Sequence, residues 1–262
     1  MSSFLLQKMQ TEIQSPIKYS LRDENSLIEL NNYLGKILRI EFTGQINCMK
    51  CGKEIKKTFQ GYCYSCFSTS PETDACIIHP EKCLAHKGIS RDIEWAKEVC
   101  LRPHYVYLAK TNKIKVGVTR ATQIPTRWID QGADSAIKLA KTPYRQLAGE
   151  IEVEMKKYFS DKTAWRAMLK NETSEDDLLV AKKKAIEQMP ESLKKFIIPD
   201  NIILNLKYPQ ISTPEKIQSL KLDKTPIIEG KLTGIKGQYL IFDNENVFNV
   251  RSHSGYNVNI FN

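Results

Sequence analysis

Hydrophobic alternation with a period of two marks both ends of the chain, and apolar residues at helical spacing mark its middle. From Met1 to Asn47 the pattern is mostly strand. Leu38, Ile40 and Phe42 alternate with Arg39 and Glu41, and Gly35 and Gly44 bracket the run, which predicts a half-buried strand with a turn at each end. At the other end, Ile227 to Ile235, Tyr239 to Phe242, Val247 to Val250 and Tyr256 to Ile260 are short apolar runs spaced by glycines and an Asp243-Asn244 turn. They predict a small all-β unit, a partly closed barrel with the option of packing back on the N-terminal strands.

In the middle, Tyr105 to Leu108 and Ile114 to Val118 are rich in Val, Ile and Tyr, with Lys110, Thr111 and Asn112 between them, the pattern of a β-hairpin. Pro125 suits the first position of a helix and Gly132 the residue past its end, so Thr126 to Gln131 reads as a short helix carrying Arg127 and Trp128. Lys138 to Thr142 reads as a further strand. Ala148, Ile151, Met155 and Phe159 then fall on one helical stripe. Asp92 to Val99 is a short helix, with Trp95, like Trp165, read as packing. Ser174 and Asp177 make a capping-box-like start for a helix bearing Leu178, Leu179, Ala181, Ala185 and Met189. That helix stops at Pro190, with Lys182, Lys183 and Lys184 on its wet face.

Two positions break local rules. Glu152 lies inside the apolar stripe one turn after Ala148, whereas Glu150 and Glu154 point away from it. Arg127 puts a cation in the first turn of a helix, against the macrodipole. Neighbouring violations of this kind are more typical of working sites than of scaffolding. The order Tyr105-Val106-Tyr107, then Lys115-Val116-Gly117-Val118-Thr119, then Arg127, then Glu152 resembles the GIY-YIG nuclease superfamily. By position, Tyr107 matches the last residue of the first motif and Lys115, Val116 and Gly117 match the second, while Arg127 and Glu152 match the family's arginine and metal-binding glutamate. The first motif lacks its glycine, and Lys115 stands where the second has tyrosine. The resemblance implies Mg²⁺ or Mn²⁺ held at Glu152, a scissile phosphate gripped by Arg127, and a water oriented or deprotonated by Tyr107 or Lys115. Lys115 has the alternative role of a second phosphate clamp. The chain as a whole, including Ala121 to Ala133, also resembles an uncharacterised family of bacterial proteins with the same plan from end to end.

The cysteines add metal chemistry. Cys48 and Cys51, then Cys63 and Cys66, form two knuckles joined by a lysine-bearing segment, the spacing of a closed tetrahedral zinc ribbon. A second group comprises Cys76, Cys83, His86 and Cys100, with His79 the alternative to Cys100 as the fourth ligand. Pro80, directly after His79, restricts that residue's backbone. Two structural Zn²⁺ ions are expected. Seven cysteines is an odd count and most sit in metal-type spacings, which points to a reducing compartment, and no apolar run is long enough for a leader or a membrane span. The expected location is the cytoplasm.

Charge favours a polyanionic partner. The 262 residues carry a formal net charge of +9, and Lys110, Lys113, Lys115, Arg120 and Arg127 follow Arg102 without an intervening acid, the pattern of a phosphate-facing surface. The fold class expected is α+β: an N-terminal β and zinc-ribbon module over residues 1–102, a central GIY-YIG-like α/β domain with a helical extension over 103–198, and a C-terminal small β-barrel-like unit over 199–262. The functional expectation is a zinc-containing protein that binds RNA or DNA and hydrolyses phosphodiesters. The alternatives are a non-catalytic module of the same fold that holds nucleic acid or docks on a ribonucleoprotein particle, and a zinc-stapled scaffold for protein contacts.

Overall fold

The computed structural model describes residues 4–23 and 26–261, a mixed α+β protein that divides into two compact units. Residues 69–205 form one unit, and residues up to Ser68 together with Leu206 onwards form the other. In chain order the strands are β1 (Phe4–Leu5), β2 (Gln10–Glu12), β3 (Lys18–Arg22), β4 (Leu27–Glu29), β5 (Ile37–Ile46), β6 (His104–Lys110), β7 (Ile114–Arg120), β8 (Ser135–Thr142), β9 (Ile203–Asn205), β10 (Gln218–Leu220), β11 (Ile227–Lys236), β12 (Tyr239–Phe242), β13 (Asn246–Asn249) and β14 (Tyr256–Phe261). The helices are α1 (Tyr64–Thr69), α2 (Ile93–Val99), α3 (Thr126–Asp130), α4 (Arg145–Met155), α5 (Trp165–Leu169), α6 (Leu178–Gln188) and α7 (Glu191–Lys194).

In the discontinuous unit, the strands at the two ends of the chain share one sheet. Its order among the described residues is β1-β14-β5-β11-β12-β13-β10, with β5 paired antiparallel to both β14 and β11. The C-terminal strands therefore close no barrel of their own. They build an open sheet around an N-terminal strand, which corrects the barrel-like unit expected for them, and the expected packing on the N-terminal strands takes the form of direct pairing with β5. The alternation read in β5 holds: Leu38 and Ile40 are fully buried, with Ile40 opposite both Ile228 and Ile260. A smaller sheet, β2-β3-β4, buries Tyr19 and Leu21.

The other unit carries a four-stranded sheet in the order β7-β6-β8-β9. Cross-strand partners share a face, so the pairs Val106–Val118 and Leu108–Val116 lie on one side and Tyr107–Gly117 and Ala109–Lys115 on the other. Val106, Leu108 and Val116 pack with Ala148, Ile151 and Met155 of α4 and with Ala181 and Ala185 of α6 in a single apolar core. Asp177 caps α6 by accepting the N–H groups of Leu179 and Val180. The helix therefore starts at Leu178, not at Ser174, whose hydroxyl instead bonds Asp176. Lys182 is also not on the wet face. It is 2% exposed, and its ammonium donates to the carbonyl of Asp200.

Candidate metal centres and a buried polar cluster

The Cys48–Cys66 segment follows directly on β5. The Asn47–Glu54 and Phe59–Tyr62 bridges fold the stretch between the knuckles back on itself. The two knuckles bring the sulfurs of Cys48, Cys51, Cys63 and Cys66 within 4.8 Å of one another, and the Cys66 N–H donates to the Cys63 sulfur at 3.4 Å. Burial opposes ionisation of Cys48, but N–H groups of Cys51, Cys63 and Lys50 outweigh it and hold the thiol at about 6, low enough for a thiolate ligand at neutral pH. Four soft donors in a closed set suit Zn²⁺.

Cys76, Cys83 and Cys100 form a second group, all buried and with their sulfurs within 4.8 Å of one another. Cys83 is held low first by the neighbouring Cys100 and Cys76 thiols and also by the Ala85 N–H and the Arg145 charge, while Cys76 is pushed up by the same crowding. Of the two alternatives for the last ligand, Cys100 is in the group, and His79 is half-exposed beside Glu81 at 3.4 Å. His86 is not among the clustered ligand atoms. Its ring stacks on Tyr144 at 5.1 Å, and its Nδ1 is buried with no hydrogen-bond partner. The residues present thus offer one tetrad and one triad that could hold zinc.

The residues singled out on the central hairpin and the following helices assemble into one polar cluster. Tyr107 projects from β6 opposite Gly117 and is fully buried against Trp128 of α3, with ring centroids 5.9 Å apart. Gln131, one turn after Arg127, donates to the phenol oxygen at 2.6 Å. Burial pushes the Tyr107 phenol up, against the pull of the Arg127 charge and of hydrogen bonds from Gln131 and Arg127. Lys115 is 6% exposed, donates to Thr163 at 3.1 Å, and is lowered to about 8 by burial and by Arg127, with Glu152 and Asp161 pulling the other way. Glu152 is 8% exposed and paired to Lys156 at 3.4 Å, and burial raises its carboxyl. Lys156 also lies 3.7 Å from Asp161. The half-buried Arg127 and Lys156 and the exposed Asp161 are the members that solvent reaches.

Among the other basic residues, Lys113 is exposed and Lys110 and Arg120 are half-buried, whereas Lys115 points inward. Lys115 therefore belongs to the cluster and not to a basic surface. Gln131, Lys156, Asp161 and Thr163 were not singled out in the sequence. Gln131 had a usable signal, since it lies on the same helical face as Arg127.

The family model described as a protein of unknown function, DUF2797, matches residues 35–258, and the chain belongs to that family. No curated protein matches it, and no solved structure does. No helix among the described residues is long and apolar enough to cross a membrane.

Proposed function

We propose that this chain is a zinc-containing protein that binds nucleic acid and hydrolyses phosphodiesters at a divalent-cation site of the GIY-YIG kind, in the reducing setting that its free cysteines suit. The observation that carries the reading is the convergence of Tyr107, Lys115, Arg127 and Glu152. These residues come from β6, β7, α3 and α4, yet each of Tyr107 and Lys115 feels the charges of both Arg127 and Glu152. A buried carboxylate and a solvent-reaching guanidinium that both act on Tyr107 and Lys115 offer a hard cation one oxygen ligand and a phosphate one bidentate donor.

Glu152 would hold Mg²⁺ or Mn²⁺, which when bound supplies charge for a water and for the phosphoryl oxygens. Arg127 would bind a non-bridging phosphate oxygen. Of the two candidate bases, the electrostatics favour Lys115. A phenol pushed up by full burial is a poor proton acceptor, so Tyr107 orients Arg127, while Lys115 at about 8 reaches the neutral amine near physiological pH. The zinc groups would serve as staples, and exposed lysines such as Lys113 would add phosphate contacts.

Labelled single-stranded and duplex RNA and DNA, incubated with Mg²⁺ or Mn²⁺, test the proposal. Cleavage by the wild type that is lost in Glu152→Ala with binding retained supports it. The second reading, a non-catalytic binding module, is favoured by the burial of Tyr107 and by Lys115 in place of a tyrosine. It expects salt-sensitive binding without cleavage, and absence of binding at moderate salt removes both readings.

A further inference from the structure

We infer that the metal held by Cys76, Cys83 and Cys100 keeps a fourth coordination position open to a cavity, and that this position takes a small organic thiol, bound as thiolate. The inference gives the triad a role beyond stapling and does not depend on the cleavage reading. Zn²⁺ takes four tetrahedral donors, and sites that bind an outside ligand supply three of them from the protein. The chain supplies three here. The buried sulfurs of Cys76, Cys83 and Cys100 lie within 4.8 Å of one another, and among the described residues no histidine or carboxylate ligand atom joins them. The tetrad of Cys48, Cys51, Cys63 and Cys66, by contrast, has its four donors. All three triad cysteines line one cavity of about 330 Å³, far larger than an ion and at the small end of ligand pockets. His86 stacks on Tyr144 at 5.1 Å and does not line it.

The lining of the cavity selects the ligand. Sulfur donors already suit this ion, and a further thiolate extends the same soft set. Leu84 and Ile89, both exposed, and the half-buried Trp95 line the cavity beside the cysteines, an apolar wall for the carbon body of a ligand. Of the cations on that wall, Arg91 is paired to Asp74 at 3.2 Å, and the exposed Lys82 offers its charge to a ligand that carries a carboxylate. Zn²⁺ with three thiolates carries one negative charge, and two guanidiniums stand against it. Arg145, 8% exposed, donates its backbone N–H to the Cys100 carbonyl at 2.8 Å and Nη1 to the Cys76 carbonyl at 3.4 Å, and its Nε is buried with no hydrogen-bond partner. The half-buried Arg120 also acts on Cys100 through its charge. A fourth thiolate balances both cations, where a neutral imidazole or water would leave one in excess. On binding, the S–H proton goes to solvent and the sulfur gives its electron pair to the metal, with nothing oxidised or reduced.

The full-length protein loaded with Co²⁺ in both cysteine groups tests the inference, because sulfur-to-cobalt charge-transfer absorption grows with each thiolate bound. Mercaptoacetate is titrated into the wild type, Cys83→Ser, His86→Ala and Ile89→Trp, with circular dichroism as the check on folding and cobalt content measured after desalting. The expected result is a saturable rise in absorption in the wild type and in His86→Ala, and none in Cys83→Ser, which keeps only the closed tetrad. Binding should weaken roughly tenfold or more in Ile89→Trp, where a bulkier side chain at an exposed position narrows the cavity. Acetate, which lacks the sulfur, should give no rise. A wild-type spectrum indifferent to the thiol overturns the inference, and a response that appears only in His86→Ala does so by showing that the imidazole is the fourth ligand. A rise that persists in Cys83→Ser, a rise unaffected in Ile89→Trp, an equal rise with acetate, or cobalt lost to the thiol also overturns it. None of these outcomes bears on cleavage at Glu152.

Discussion

The phenol of Tyr107 occupies the space that a side chain at position 117 would fill. The two residues are direct partners across β6 and β7, and a Cβ on Gly117 would lie 2.6 Å from the Tyr107 oxygen and 2.7 Å from its Cζ. The glycine therefore serves the tyrosine by leaving room for it to turn across the strand and reach Gln131. Gly117→Ala should force the buried ring to shift and cost about 1–3 kcal/mol, the usual range for overpacking. Denaturant unfolding would measure it, and a midpoint unchanged from wild type would show that the ring has room to give.

Much of this arrangement was legible from local pattern. The β6–β7 hairpin, the short α3 that stops before Gly132 and the α4 stripe with a misplaced Glu152 all depend on local signals, periodicities of two and 3.6 and a glycine past the helix end, which neighbouring residues encode. The pairing of β5 with β14 and β11 was not legible in the same way, because alternation says which face is buried but not which distant strand lies alongside. Lys182 escaped for a related reason. Its neighbours Lys183 and Lys184 are exposed, and only the carbonyl of Asp200, beyond the end of the helix, explains why one lysine of the three turns inward.

Lys115 makes stability pH-dependent in the cation-free protein. Its folded-state value of about 8 lies below the ordinary 10.5, with burial the main cause. Below pH 8 both states hold the proton and the folded state bears the cost of a buried ammonium. Between about 8 and 10.5 the folded state releases it first, so stability rises with pH. Lys115→Met should therefore stabilise the protein at pH 7, by about 2 kcal/mol after allowing for the lost bond to Thr163. That gain should shrink as the pH passes 8. A difference between variant and wild type that does not change from pH 7 to 10 would contradict the assignment.

The two cysteine groups should each bind one zinc ion independently, since they lie in different units. Elemental analysis should find two equivalents in the wild type and one in either Cys63→Ser or Cys83→Ser. Hydrogen exchange in Cys63→Ser should lose protection across residues 47–66 and keep it in β5, β11 and β14, whose apolar pairs do not depend on the metal. Two equivalents retained in Cys63→Ser, or protection lost throughout that sheet, would count against separate staples.

Removing the guanidinium should separate phosphate contact from cation binding. Arg127→Ala should leave Mn²⁺ affinity within a few-fold of wild type but weaken binding of short oligonucleotides and lower the slope of affinity against salt by about one. An unaltered salt slope would place the phosphate elsewhere.

The most direct measurement of the central claim is anomalous scattering from crystals grown with Mn²⁺ and a short oligonucleotide. The account predicts a manganese peak about 2.1 Å from a Glu152 oxygen, with a phosphate against Arg127 and Lys156 drawn away from the carboxylate. Glu152 still paired to Lys156, with manganese absent or found only at the cysteine groups, would contradict it.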